Sequence, residues 1–180
     1  MSAYRDEARR IIEDAHHEPI RILVWGPGDP GSKGSAQKRQ AYEKRVQIRE
    51  TLRHEFPRGE VYFSEDPEMT QIAAGIRGQL RREALQASLS DLVLMLDVSR
   101  GTDLELDHFV PTYSWFREKV YVFLPQRYVP PKGLVREVFD YLRPDQIEGF
   151  SPKDFRECTL ATEKAVQVAE TVALEMRLRR

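Results

Sequence analysis

Asp91-Leu92-Val93-Leu94-Met95-Leu96-Asp97 is the stretch that decides the fold. Its apolar residues run without the alternation of a strand that has one wet face. Both faces are therefore expected to be buried, as in a parallel sheet covered by helices on two sides. Upstream, Ile20-Arg21-Ile22-Leu23-Val24-Trp25 is a second strand, stopped by Gly26-Pro27-Gly28, and Val61-Tyr62-Phe63 is a third. Downstream lie Val120-Tyr121-Val122-Phe123-Leu124, a Pro-rich loop over 125–132, and a weaker strand within 146–157. Apolar spacing predicts helices over 3–15 (Ala8, Ile11 and Ile12 on one side), 38–56 (Ala41, Ile48, Leu52, Phe56) and 70–88 (Ile72, Ile76, Leu80, Ala84, Ala87). Asp66-Pro67 reads as an N-cap and first helical position. Thr102 opens a helix that Pro111 must end or kink. A short helix over 134–142 and a last one over 160–177, burying Ala165, Ala169, Val172 and Met176, complete the pattern. Strands alternating with helices imply a parallel α/β sheet with right-handed crossovers. Residues 1–180 are expected to be one domain, with 1–18 as an N-terminal helical extension.

Composition narrows the function. Twenty-eight basic residues against 29 acidic ones leave a net charge of −1, which gives no basic excess for a sequence-independent grip on nucleic acid. No apolar stretch approaches the ~20 residues of a membrane span. Met1 to Glu18 is too polar for a secretory signal, so a cytoplasmic location is expected. A single cysteine, Cys158, cannot form an internal disulfide, and His16, His17, His54 and His108 lack metal-ligand spacing. No metal and no cofactor are expected.

Three places could carry chemistry. Gly26-Pro27-Gly28-Asp29-Pro30-Gly31 matches the letters of a dinucleotide fingerprint. However, Ser32 to Ala36 continue as loop, and Glu65 comes far later than the ~20 residues the fingerprint requires. Ser32 also stands where a P-loop needs its lysine. The loop residues Ser32 and Lys33, with Lys38 and Arg39 at the following helix start, could still hold a phosphate; the alternative is a merely solvated loop. The second place is Gly101-Thr102-Asp103-Leu104-Glu105, at the carboxyl edge of the sheet beside Asp97, where open α/β sheets bind ligands. Thr102 and Glu105 also fit a capping box. The third is Glu83, which periodicity puts in the middle of an apolar helix face. A carboxylate there is costly unless paired or neutral; otherwise it bends out to solvent or pairs with an arginine. Two carboxylates converging on one crevice are what glycosidic cleavage requires. Trp25, Tyr62, Trp115 and Phe116 read as core or pocket wall.

Ser90 to Asp97, then Gly101-Thr102-x-x-Glu105-Leu106, then Lys119-Val120-Tyr121-Val122, resemble the nucleoside 2-deoxyribosyltransferase-like superfamily over roughly residues 20–125. That group includes deoxynucleoside monophosphate N-glycosidases and a cytidylate hydrolase. The resemblance implies a flavodoxin-like three-layer fold with a mostly parallel five-stranded sheet, order 2-1-3-4-5. It implies Glu105 as the nucleophile at C1′ of the sugar. It also implies a second carboxylate eight residues before Asp91, which is Glu83, where the family usually has Asp. Gly26, Gly28, Ser32, Lys33 and Lys38 would bind phosphate or sugar, and Asp97, Gly101 and Thr102 would line the ligand. Relatives complete their pockets with a partner subunit. The stripe Leu106, Phe109, Tyr113 and Phe116 is thus expected either at a homodimer interface or against the sheet. After its glutamate the family has Leu-Gly-x-Ala, whereas this chain has Leu106-Asp107-His108-Phe109. The expected function is hydrolysis or transfer at the N-glycosidic bond of a nucleoside, nucleotide or related ligand. The alternatives are an inactive nucleotide-binding sensor or, because TIR-domain relatives share this shape, a TIR-like NAD-cleaving effector.

Overall fold

β3 (Leu92–Leu96) is the middle strand, buried at every residue. The computed structural model describes residues 2–96, 100–126, 129, 134–151 and 159–180, with backbone alone for 2–4, 8, 100–105 and 134–136. Among these, β1 (Arg21–Trp25), β2 (Glu60–Tyr62), β4 (Val120–Pro125) and β5 (Ile147–Phe150) join β3 in one parallel sheet, order 2-1-3-4-5. Ile22 lies opposite Leu92, and Val93 opposite Val120. This is the flavodoxin-like order, and it reverses between β1 and β3. Their carboxyl ends therefore frame the crevice where such sheets take ligands.

Successive strand residues point to opposite faces, so each strand feeds two cores. Ile22, Val24, Leu94 and Leu96 pack with Ile48 and Leu52 of α2 (Ala36–Glu55) and Ala165 and Ala169 of α8 (Leu160–Leu178). α1 (Ser2–Ala15) lies against α8. On the other face, Leu23, Trp25, Val93 and Met95 pack with five helices. These are α3 (Pro67–Ile72), α4 (Gln79–Ser88), α5 (Arg100–Thr112), α6 (Ser114–Lys119) and α7 (Leu134–Phe139).

Several expectations need correction. The helix expected over 70–88 is two helices. Gly75 and Gly78, at φ +83° and +91°, take left-handed backbone between them, and Ile72 and Leu80 are about two-fifths exposed (43% and 40%). α5 already runs from Arg100, so Thr102 lies inside it and is not its N-cap; the capping-box alternative loses its cap position. Pro111 falls in the last turn of α5, and α6 follows at once. Asp66 does precede Pro67 at the N-cap of α3, but its carboxylate turns back to accept from the Phe63 N–H (2.8 Å) and from Arg49. In α1, Ala15 is buried while Ile11 and Ile12 are exposed. Leu106, Phe109 and Phe116 are buried under the sheet within one chain, with Tyr113 packed beside them. That leaves no such stripe for a homodimer interface. Among the described residues, no helix is long and apolar enough to cross a membrane. Cys158 lies outside the described residues.

Candidate active site

α4 crosses from the carboxyl end of β2 to the amino end of β3, so its first turns lie at the carboxyl edge, on the face α5 also covers. Its inner side carries Glu83, Gln86 and Ala87. Glu83 is only 8% exposed. One carboxylate oxygen accepts from Gln79 Nε2, one turn earlier, at 2.8 Å. The other oxygen is buried, with no hydrogen-bond partner among the described residues. Burial pushes the carboxyl above its ordinary value, and the opposing hydrogen bond from Gln79 and the charge of Arg82 do not cancel that. The result is a carboxyl group biased toward keeping its proton, with one oxygen unspent. Gln86 donates to the Ser64 and Met69 carbonyls (3.0 Å each), tying α4 to the chain leaving β2, while its own oxygen has no partner among the described residues. Trp25, the last residue of β1, points into the same layer. Its ring packs on Phe109 and Phe116, and its Nε1–H has no partner among the described residues.

The β1 side of the crevice is braced by Arg45, which the sequence reading did not single out. Arg45 stands in phase with Ala41, Ile48 and Leu52 on the buried side of α2, and that phase is the signal for it. Its side chain is 1% exposed. Nε and Nη2 donate to the Val24 carbonyl (3.0 and 2.9 Å), and Nη1 donates to the Pro27 carbonyl (3.3 Å). The guanidinium also grips Glu65 through two bonds of 2.6 and 2.8 Å and lies over the Phe63 ring. Burial pushes the Glu65 carboxyl up, but Arg45's hydrogen bonds and charge outweigh it and hold it below the usual range. Gly26 follows β1 where space is short: a Cβ there would sit 3.1 Å from Leu96 Cβ and 3.4 Å from Arg45 Cδ.

The loop from Gly26 to Ser35 is largely self-satisfied. Asp29 accepts from the Gly31 N–H (2.8 Å), and Arg39 donates to the Gly34 carbonyl. Ser35 caps α2 by accepting from the Lys38 N–H at 3.3 Å. Gly28 faces open space, and Ser32, Lys33 and Lys38 are exposed. Lys33 and Lys38 make no ion pair among the described residues. Asp97 lies outside the described residues. Gly101, Thr102 and Glu105 fall in the first turns of α5, at the same edge as Glu83, with the Thr102 and Glu105 side chains outside the description. Two residues of the family-like pattern serve architecture at the amino edge. Asp91 accepts from the Arg21 N–H (2.8 Å). Lys119, its ammonium pushed down by burial, donates to the carbonyls of Ala87, Ser88 and Ser90 at the end of α4. Among the described residues no cluster of His, Cys, Asp or Glu has a metal-binding arrangement. No family model matches the chain, and no curated protein matches it.

Proposed function

We propose that the protein breaks or transfers the N-glycosidic bond of a nucleoside or nucleotide, in the manner of the nucleoside 2-deoxyribosyltransferase-like superfamily. Glu83 carries the reading. It is a buried carboxyl with a raised pKa and one free oxygen, on the sheet face that also bears the Glu105 turn of α5. In this scheme the Glu105 carboxylate attacks C1′, and the C1′–N bond breaks. The base leaves with the electron pair and takes the Glu83 proton. Water then attacks the glycosyl ester, gives a proton back to Glu83 and releases Glu105, so one water is consumed per base freed. Such retaining chemistry calls for carboxyl groups about 5–5.5 Å apart. Lys33 and Lys38, unpaired at the same edge, would hold a phosphate.

Glu105→Gln is the direct test, with nucleosides, nucleoside monophosphates and NAD as substrates and free base measured by chromatography. A neutral amide cannot form the ester, so base release should fall by several orders of magnitude while folding and ligand binding persist. Release within a few-fold of wild type removes Glu105 as nucleophile. Nicotinamide release from NAD alone would point to the TIR-like activity instead. One observation favours the inactive sensor as a second reading. Phe109 is bulky and fully buried where the family has alanine, and Asp107 stands where it has glycine. Nucleotide binding by the wild type without any base release would establish it.

A further inference from the structure

On the opposite face of the sheet from Glu83, α2 and α8 leave a groove of about 520 Å³. Its size falls within the usual range for small-ligand sites. No lysine or arginine is among its lining residues, and three glutamates are. Glu55 and Glu170 stand at one end, bridged by His16, whose Nε2 lies 2.7 Å from Glu170 and Nδ1 3.7 Å from Glu55. Glu163 stands at the other end with no ion pair among the described residues. Glu163 and Glu170 are seven residues apart on α8, about 10.5 Å along the axis at 1.5 Å per residue. Between them lies Val166, an apolar surface, with Thr51 across on α2. Beside Glu163, Thr162 lines the same groove. It is 6% exposed, and its buried hydroxyl has no hydrogen-bond partner among the described residues. Of the lysines on the two helices, Lys164 beside Glu163 pairs with Glu148 at 3.2 Å, and Lys44 is buried and donates to Gln47 at 2.6 Å.

We propose that this groove binds a linear aliphatic polyamine. Acceptors at the two ends receive ammonium groups about 10 Å apart, the Thr162 hydroxyl, which gives up no described hydrogen bond on rotating toward the groove, accepts from the one beside Glu163, and Val166 packs on the methylenes. Nothing in this depends on the chemistry proposed for Glu83 and Glu105.

The test is calorimetric titration of the full chain with spermidine, and with propylamine as a probe carrying a single ammonium. Three variants decide the outcome. Glu163→Gln loses no internal ion pair. Thr162→Val replaces an unpartnered buried hydroxyl with a methyl group and so leaves the fold intact. Glu118→Gln, on α6 across the sheet, is the control for diffuse attraction. Spermidine should bind far more tightly than propylamine. Glu163→Gln should weaken it about tenfold, the scale of one hydrogen bond to a charged group. Thr162→Val should weaken it a few-fold, and Glu118→Gln should leave it unchanged. Absence of spermidine binding, equal affinity for propylamine, or equal losses in Glu163→Gln and Glu118→Gln would each overturn the proposal.

Discussion

Arg45 and Glu65 form a pair whose partners differ sharply in burial, and that asymmetry fixes which deletion costs more. The Arg45 side chain is 1% exposed, and that of Glu65 is 49% exposed. Removing the arginine (Arg45→Met) leaves Glu65 free to hydrate, so the ion pair itself loses only the ~1 kcal/mol of a half-wet interaction. The Val24 carbonyl loses two N–H donors of 3.0 and 2.9 Å, at about 1–3 kcal/mol for a buried acceptor. Contact with the Phe63 ring adds about 0.5–1 kcal/mol. Relief of the guanidinium's desolvation acts the other way, and a net cost of about 2 kcal/mol results. Removing the glutamate (Glu65→Ala) instead strands a buried guanidinium with only carbonyl partners, costing about 3 kcal/mol or more. Deleting the more exposed residue should therefore be the more damaging change. Urea unfolding of both variants at neutral pH measures the difference. The pH dependence has a defined sign, because the folded Glu65 carboxyl lies below the usual value of 4.5. Its contribution is complete above 4.5 and is lost as pH falls through the lowered folded value, so wild type and Glu65→Ala should converge on acidification. If Arg45→Met proved the costlier variant, or if the gap between wild type and Glu65→Ala widened in acid, the reasoning would be refuted.

Glu83 has the opposite sign: its folded carboxyl is raised, so stability is fullest below the ordinary value of 4.5 and is lost as pH climbs toward the folded value. Glu83→Gln should accordingly stabilise the protein by about 1 kcal/mol at neutral pH and by nothing in acid, as read by thermal unfolding at the two pH values, while base release falls. Lys119→Met removes the donor to the carbonyls at the end of α4, including a 2.6 Å bond to Ser90; denaturant titration should show a loss of about 1–2 kcal/mol. Gly78→Ala puts a Cβ on left-handed backbone at φ +91°. A loss of about 1–2 kcal/mol is expected in the same assay, although nothing lies within 4 Å of the new carbon.

The sheet was legible because an unbroken apolar run such as Leu92–Leu96 has only one economical placement, between two helical layers. Apolar spacing misleads between Ile72 and Leu80, where it continues across Gly75 and Gly78; spacing carries no information about φ, and the chain turns where the pattern does not. The burial of Glu83 survives that error because Ala84 and Ala87, within the real α4, set the same phase. The rule that places Glu83 inside α4 places Arg45 inside α2, since both are charges standing in an apolar phase. What the sequence withholds in each case is the partner. Glu65 is twenty residues from Arg45, and the β1–β2 pairing helps bring the chain leaving β2 back to α2. Once the guanidinium has found its carboxylate, its burial is explained by architecture. Among the described residues no such partner meets the second oxygen of Glu83. A buried acid that the fold satisfies at one oxygen only carries a standing free-energy cost. That cost is accounted for if a ligand supplies the missing partner, and this difference separates Glu83 from Arg45 as a candidate for chemistry.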